Sequence, residues 1–419
     1  MFKHSLILAL LLCATLPAAA QSFRWDIEWY NSGQAIQQSD TSIMDPTGRR
    51  IDAPNARFQS DLRINTKYTW RGGTRWIFRP RFVGDVNQYH YLDTNEDKTT
   101  ATGEASLPEA YLEGDPTRRL TLAGGLQNYQ WGPAEFISPT NPFYHFRRDQ
   151  RSYTYKEDGR FLLRANWSPN ASWSVIAIAE PMNNGQSFWI YEQKFKPKGV
   201  VKIERRGKNA LNYAGVDFGT IDDTIPFVGE YFNAELTPGL SIYADARQSH
   251  GSAQYSPDVI NPDALVDMVY TRNDENWNTL AVGGIRWEGR VDFRMEYIYN
   301  SYGMDKEHMI AAFQSALPQH PRGDENLKRL IGSGMELIGQ HYAYASLRIP
   351  DLFIQNNNVA LRYLQSLMDQ SASVQLSWDI AIGDAWTLFA EANYAFGDNT
   401  QELSALEKAS GQLGFKWNL

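Results

Sequence analysis

Basic side chains alternate with aromatic and aliphatic side chains along residues 57–82, and this alternation is the clearest chemical pattern in the sequence. Arginine binds carboxylates through two parallel hydrogen bonds, and lysine binds them as a point charge. A period of two places the two sets on opposite faces of a strand. The stretch therefore predicts two strands with a cationic wet face and an apolar face. The cationic face carries Arg57, Arg63, Lys67, Arg75, Arg79 and Arg81.

The same alternation adds Arg160, Arg164 and Arg294 to the wet face of later strands. Acidic residues such as Asp61 and Asp292 share that face, so cross-strand ion pairs that brace the wall are one interpretation. The other is that the basic groups meet an anionic solute. The basic residues gather on strands two, three and six of a chain whose net charge is −8, and this uneven distribution favours anionic cargo.

Period-two alternation recurs along the whole chain and predicts about eighteen strands, each long enough to cross a bilayer when tilted. Short turns rich in Gly, Pro, Asp and Asn alternate with longer polar connections, and aromatic residues gather near strand ends. These features predict an all-β fold, a transmembrane antiparallel up-and-down β-barrel with short periplasmic turns and long outer loops. The alternative is a soluble sheet with one wet face. In a barrel, the wet face lines the lumen.

The predicted strands lie near 22–30, 56–69, 74–86, 105–114, 117–128, 160–168, 172–180, 200–206, 210–220, 226–236, 239–247, 277–288, 290–300, 340–349, 357–368, 372–382, 385–396 and 408–419. Together they place residues 21–419 in a single barrel domain.

The connection over residues 129–159 is long and rich in proline and aromatic residues. Proline restricts the backbone and aromatic rings can pack on an inner wall, so we predict an inward fold that narrows the lumen. The alternative is an ordinary surface loop. The predicted constriction is carried by Trp131, Glu135, Phe136, Asn141, Phe143, Arg147, Arg148 and Arg151.

The outer connection over residues 301–339 has apolar residues at helical spacing, first at Met309 and Phe313 and then at Leu327 and Leu330. We predict a helical hairpin at the barrel mouth. It would act as a lid or a docking surface, and a simple packed loop is the alternative.

Residues 1–20 have the pattern of a secretory signal peptide, with a basic start, an apolar run and small residues at 18–20. Cleavage after Ala20 would remove Cys13, the single cysteine, so no disulfide is expected. The final predicted strand presents Phe415 and Trp417 on one face, which is typical of the strand that barrel-assembly machinery recognises. We therefore expect a multi-pass protein of the bacterial outer membrane, in contact with its lipid.

Several other functions are not expected. The histidines are scattered, so no metal site is predicted, and no motif indicates a cofactor. His250 lies beside Ser249 and Ser252, as in a hydrolase, but such neighbours arise by chance in a chain of this length, so no enzyme is predicted. The chain has no nucleic-acid-binding module, and its negative charge argues against nucleic acid as a partner.

The stretch GGLQNYQWGPAEFISPTNPF (124–143) resembles a Gly-x-Gln, Trp-Gly, Pro-x-Asn arrangement in outer-membrane barrels of the alginate-export-like group and related exopolysaccharide-associated barrels. The capsule surface-assembly barrel has a similar Trp-Gly-Pro. The resemblance implies an eighteen-stranded barrel whose lumen is rich in Arg and Lys and accepts a uronate polymer. It assigns no role to an individual residue.

Pattern and resemblance together predict a conduit for an anionic polysaccharide or another acidic solute, with a periplasmic export partner as a further expectation. A general or substrate-selective diffusion porin for small solutes is the alternative. A barrel that attaches surface polysaccharide and an outer-membrane lipid hydrolase are weaker alternatives.

Overall fold

The structure, a computed structural model, describes residues 21–39, 54–72, 74–91, 98–143, 152–183, 195–221, 224–251, 253–257, 267–272, 276–331, 337–398, 401–405 and 407–419. These residues form twenty strands and two helices. The first eleven strands are β1 (Ser22–Gln38), β2 (Ala56–Gly72), β3 (Thr74–Tyr91), β4 (Lys98–Thr117), β5 (Leu120–Gln127), β6 (Arg160–Asn170), β7 (Trp173–Glu180), β8 (Lys198–Arg206), β9 (Tyr213–Thr220), β10 (Pro226–Thr237) and β11 (Leu240–His250).

The later elements are β12 (Ala253–Pro257), β13 (Met268–Arg272), β14 (Trp277–Glu288), β15 (Asp292–Asn300), α1 (Lys306–Ser315), α2 (Gly323–Ile331), β16 (His341–Pro350), β17 (Asn357–Ser366), β18 (Ala372–Ile382), β19 (Trp386–Phe396) and β20 (Glu407–Asn418).

Eighteen of the strands form one antiparallel sheet that closes on itself. Each strand pairs with the next along the chain, except that β11 pairs with β14, and β1 pairs with β20 at the seam. There Trp29 lies opposite Trp417 in the register, and the backbone N–H of Leu419 donates to the carbonyl of Ile27 at 2.8 Å. The strands β12 and β13 form a separate hairpin. The predicted fold, a closed barrel of eighteen antiparallel strands, is confirmed.

The two faces of the wall have reversed polarity compared with a soluble protein. On β2, Leu62 is 40% exposed while its neighbour Asp61 is fully buried, and on β3, Val86 is 54% exposed beside the buried Asp85. Apolar groups this exposed along whole strands need an apolar solvent, because contact with water is unfavourable for them. The outer face is therefore the lipid-facing surface, and the buried polar set faces the lumen.

Several strands extend beyond their predicted bounds. The strand β1 ends at Gln38 rather than near residue 30, β3 continues to Tyr91, and β4 begins at Lys98 rather than near residue 105. Outside the bilayer a strand keeps its ladder of hydrogen bonds but no longer needs apolar outward side chains, so the period-two pattern fades there. The hairpin of β12 and β13 was also missed in the sequence, because its strands are only five residues long.

The connection between β15 and β16 contains the predicted helical pair. The side chain of Asp305 caps α1 by accepting from the backbone N–H of His308 at 2.9 Å. Met309 and Phe313 of α1 pack with Leu327 and Leu330 of α2 in one buried cluster. The helical hairpin was predicted within residues 301–339, and its second helix, α2, ends at Ile331, while residues 332–336 lie outside the described residues. None of the helices in the described ranges is both long and apolar enough to cross a membrane.

Candidate channel lumen

The connection between β5 and β6, here called the inward segment (residues 129–159), reaches strands all around the barrel. The indole N–H of Trp131 donates to Asp217 of β9 at 2.8 Å. The backbone N–H of Thr140 donates to Asp245 of β11 at 3.0 Å. The backbone N–H of Tyr153 donates to Glu391 of β19 at 2.6 Å. A single connection can touch β9, β11 and β19 together only from inside the barrel, so the inward segment crosses the lumen.

Carboxylates of the wall serve as the acceptors for this segment. Glu296 of β15 accepts the backbone N–H groups of Glu135 and Phe136, at 2.6 and 3.0 Å, and also the hydroxyl of Tyr243 at 2.8 Å. A chain without secondary structure has no ladder to satisfy its own N–H groups, and buried N–H groups need acceptors. Hydrogen bonds to an ionised acceptor are stronger than neutral ones. The acidic side chains of the wall therefore fix the path of the segment.

Aromatic rings fill the space between the segment and the wall. The rings of Trp131 and Phe143 meet edge to face at 6.1 Å, and both belong to a buried cluster with Leu162 and Phe227 of the wall. The ring of Phe136 lies 4.9 Å from that of Tyr344. These contacts are apolar on both sides, so this part of the lumen is packed like a protein core.

The second part of the segment lies against the seam side of the barrel. The ring of Tyr153 stacks on Phe389 at 4.9 Å. The carbonyl of Thr154 accepts from Arg63 at 3.1 Å, and Lys156 forms an ion pair with Asp85 at 2.8 Å. The predicted constriction residues Trp131, Glu135, Phe136, Asn141 and Phe143 lie in the described part of the segment, whereas Arg147, Arg148 and Arg151 lie outside the described residues.

Among the described residues, six of the nine basic wall residues that the sequence singled out have a carboxylate partner. The pairs are Arg63 with Asp61, Arg75 with Asp115, Arg81 with Glu109, Arg160 with Glu180, Arg164 with Glu113 and Arg294 with Glu135, at 2.8 to 3.4 Å. Four of these pairs join different strands and fit the wall-bracing interpretation, whereas Arg63 pairs within β2 and Arg294 pairs with the inward segment.

The other three basic residues have different neighbours. Arg57 donates to the side-chain oxygen of Asn87 at 2.8 Å. The guanidinium of Arg79 lies 5.9 Å from the ring of Tyr111. Lys67 stands opposite Arg24 in the register of β1 and β2. The sequence-predicted residues therefore spread along the wall, and the structure does not bring all of them to one place.

A cavity of about 860 Å³ remains between the inward segment and the wall. Within the described ranges, four guanidinium groups line it, from Arg81, Arg294, Arg348 and Arg362. Four carboxylates of the same ranges line it as well, from Glu135, Glu157, Asp292 and Asp379. Asp292 begins β15 and Arg348 lies near the end of β16, so the cavity lies toward the short-turn end of the barrel. It brings together Arg81, Arg294, Trp131, Glu135 and Asn141 from the predicted set.

Arg348 and Arg362 differ from the other two guanidinium groups of the cavity in the partners that surround them. Arg362 donates to Gln375 at 3.2 Å and to Ser377 at 3.3 Å, which are neutral acceptors. In the described part of the chain, no carboxylate lies within ion-pair distance of Arg362 or Arg348. Among the described residues these two guanidinium groups lack a close ion pair, although Arg348 lies opposite Asp292 in the register of β15 and β16.

Arg348 is a lumen residue that the sequence analysis missed. Alternation along β16 contained the signal, because Tyr344, Ser346 and Arg348 follow one another at a period of two. The convergence of Arg294, Ser346 and Arg362 also depends on the register between neighbouring strands, which the sequence of one strand does not reveal. Ser346 lies opposite Arg294 on one neighbouring strand and opposite Arg362 on the other.

Glu157 is a second acidic group of the inward segment that lines the cavity. Burial raises the pKa of its carboxyl above the usual value, although hydrogen bonds from Asn128 and Gln130 act in the opposite direction. The amide of Gln130 donates to it at 2.8 Å. This carboxyl therefore becomes neutral at a higher pH than an exposed glutamate.

Ser249 and His250, the hydrolase-like neighbours in the sequence, contact other residues of the barrel. Ser249 donates to the carbonyl of Gly251 at 3.1 Å, and the ring of His250 meets Trp277 edge to face. Ser249 and His250 are adjacent on β11, so their side chains point to opposite faces. Among the residues that the structure describes, no group of three or more His, Cys, Asp or Glu side chains is placed to hold a metal ion.

Solved structures of outer-membrane channels match this architecture over nearly the whole chain. OccAB1 of Acinetobacter baumannii matches with a TM-score of 0.56 and 9% identity, over 96% of this chain and 97% of that one. OccK5 (OpdH) of Pseudomonas aeruginosa matches with a TM-score of 0.54 and 9% identity, over 96% and 99%. OprD of Pseudomonas aeruginosa matches with a TM-score of 0.52 and 9% identity, over 96% of each chain.

The chain has the fold of an outer-membrane porin. No family model matches its sequence, and no curated protein matches it significantly. The likeness thus lies in architecture rather than in sequence, and with the apolar outer face it confirms the expected outer-membrane location. The alginate-export-like resemblance gains no support from these structures.

Proposed function

We propose that this protein is an outer-membrane diffusion channel for small solutes, with a preference for solutes that carry a carboxylate or another anionic group. The observation that carries the proposal is the inward segment. It crosses the barrel and leaves a polar cavity of about 860 Å³ beside Arg348 and Arg362. Cavities of this size hold molecules of small-ligand dimensions. The porin fold shared with Occ and OprD channels supports the same choice.

A conduit for an anionic polysaccharide is the second reading, and the supporting feature is the set of basic residues on β2, β3 and β6. Most of these guanidinium groups have carboxylate partners, so they offer less free positive charge than the sequence suggests. A polymer also needs a continuous wide path, whereas apolar packing of Trp131, Phe136 and Phe143 occupies part of the lumen. The small-solute reading agrees better with both features.

The anion preference rests on the arrangement of charge rather than on the number of charges. Among the residues that the structure describes, four cationic and four anionic side chains line the cavity. Glu135 and Asp292 are held by Arg294 and Arg286, Glu157 is held by an amide of the inward segment, and Asp379 accepts from the amide of Asn358. Arg348 and Arg362 then attract a passing anion in a narrow space with low-dielectric walls, where electrostatic forces are strong.

Single-channel recording in a planar bilayer tests this proposal. The mature barrel should show a stable conductance whose reversal potential in a salt gradient reports anion preference. Arg348→Gln combined with Arg362→Gln should shift the reversal potential toward cations, because both changes remove positive charge from the cavity. Arg290→Gln is the matched control, since Arg290 is exposed at the turn before β15 and should leave selectivity unchanged.

Two results would contradict the proposal. One is a wild-type barrel that conducts no small ions at all. The other is a double variant with the selectivity of the wild type, which would show that these two arginines do not act on the permeating ions.

Lipid and barrel-assembly machinery are proposed partners on separate grounds. The exposed apolar residues of the outer face, such as Leu62 and Val86, support contact with membrane lipid. Leu413 of β20 is 69% exposed on the same face, which supports recognition of this strand during assembly. A periplasmic export partner belongs to the polysaccharide reading and is not part of the small-solute proposal.

A further inference from the structure

The carboxylate of Glu135, in the first part of the inward segment, is held by three donors of the barrel wall. The guanidinium Nε of Arg294 lies 3.2 Å from Oε2, and the hydroxyl of Ser346 donates to the same oxygen at 3.0 Å. The hydroxyl of Tyr344 donates to Oε1 at 3.1 Å. One cation and two hydroxyls that converge on both oxygens make a receptor with the geometry that a carboxylate requires.

The backbone beside this side chain is fixed separately. The N–H groups of Glu135 and Phe136 donate to Glu296, and the ring of Phe136 packs on Tyr344. Anchoring of the segment therefore does not require the Glu135 carboxylate. The carboxylate lies at the wall of the cavity, together with Arg294, Ser346 and the neighbouring Arg362.

We infer that Arg294, Tyr344 and Ser346 form a binding site for the carboxylate of a permeating solute, and that Glu135 is its tethered occupant. This inference rests on the proposed channel function and adds the chemistry of one subsite. A solute carboxylate takes the place of the Glu135 carboxylate on the three donors, and the side chain returns when the solute leaves.

A tethered competitor has a clear physical effect. An intramolecular group acts at a high effective concentration, so a free carboxylate must displace it in order to bind. Binding is then weak enough for the solute to leave, as conduction requires. Glu135 thereby sets the affinity of the site, and its removal should turn a site of rapid exchange into a site of tight binding.

Calorimetric titration of the folded barrel with succinate tests the inference. Glu135→Gln removes the competing charge and keeps the shape of the side chain. Succinate should bind this variant about ten-fold more tightly than the wild type, the ratio expected for one charge-assisted hydrogen-bonded contact. Addition of Ser346→Ala to this variant removes one donor and should reverse part of the gain.

Glu157→Gln is the matched control, because it removes the same charge from the same cavity. Glu157 accepts from Gln130 and Asn128 rather than from the three donors of Glu135. The control should therefore change succinate affinity less than Glu135→Gln does. Glu135→Asp is a second variant that keeps the charge but withdraws the carboxylate by one methylene, and it should bind succinate more tightly than the wild type.

Equal effects of Glu135→Gln and Glu157→Gln would overturn the inference, because they would mean that only total charge matters. Unchanged affinity in Glu135→Gln and Glu135→Asp would overturn it as well. Failure of the channel proposal is distinguishable, since it is measured by conductance. If the barrel conducts no ions while Glu135→Gln still binds succinate more tightly than the wild type, the carboxylate site stands and the channel proposal fails.

Discussion

Individual side chains in this barrel show how far sequence reasoning reaches at the residue scale. Alternation along a strand is enough to predict which residues face the lumen, because successive side chains point to opposite faces. It does not predict their partners. Glu135 and Ser346 are separated by 211 positions, and Tyr153 and Glu391 by 238, so their contacts depend on closure of the barrel. For the same reason the pairing of Arg294 with Glu135 could not be seen in the sequence.

Gly132 is a residue whose conformation fixes the path of the inward segment. Its φ is 96°, and a Cβ at this position would collide with Asp245 and Ser138. A left-handed conformation costs a residue with a side chain about 1–3 kcal/mol, and the collision adds to that. We expect Gly132→Ala to shift the segment away from Asp245 and to populate a larger-conductance state roughly 5- to 150-fold more. Single-channel amplitude histograms measure this population.

Gly84→Ala is the control for that experiment, because Gly84 has no atom within 4 Å of an added Cβ and no positive φ. It should leave the conductance unchanged. Identical histograms for Gly132→Ala and the wild type would mean that the contact with Asp245 does not position the segment.

At the scale of elements, strands were more predictable than connections. A lipid-facing strand must present apolar residues at every second position, and this constraint is visible in a single sequence. The inward segment obeys no such rule. Its composition indicated rigidity and packing, but its path is set by acceptors on distant strands, Asp217, Asp245, Glu296 and Glu391.

Glu296 is the acceptor whose loss should release the segment most directly. Glu296→Gln leaves one oxygen where two accept backbone N–H groups, and each charge-assisted hydrogen bond contributes about 1.5–3 kcal/mol. We expect a noisier, larger-conductance state whose occupancy rises at least roughly ten-fold. Recordings at fixed voltage measure the occupancy. Glu288→Gln, at the exposed end of β14, is the control. Equal noise in both variants would contradict the anchoring role of Glu296.

At the scale of the whole molecule, the barrel sheet has no unpaired edge strand, because β1 pairs with β20 at the seam. Unpaired backbone groups are costly in lipid, so an open edge is not tolerated there. At the seam the indole of Trp417 stacks on Trp386 at 5.5 Å and lies 6.2 Å from Trp29. The last strand was predicted correctly because its alternation is strong, whereas its pairing with β1 follows from the closed topology.

Deletion of residues 415–419 should prevent closure, since it removes partners of both β1 and β19. We expect the truncated chain to lose the heat-dependent shift in gel mobility that marks a folded barrel. Lys416→Gln, which changes only an inward residue paired with Glu28, should retain the shift. A truncated chain with the mobility shift of the wild type would mean that the seam does not require these residues.

The size and charge of the solutes that cross the whole barrel distinguish a small-solute channel from a polymer conduit. Swelling of liposomes that contain the purified barrel measures entry for a series of carboxylates, neutral sugars of matched size and oligouronates of increasing length. We predict rapid entry of small carboxylates, slower entry of neutral sugars of equal size, and no entry of long oligouronates. Rapid entry of long oligouronates, or equal rates for carboxylates and neutral sugars, would contradict a small-solute channel with anion preference.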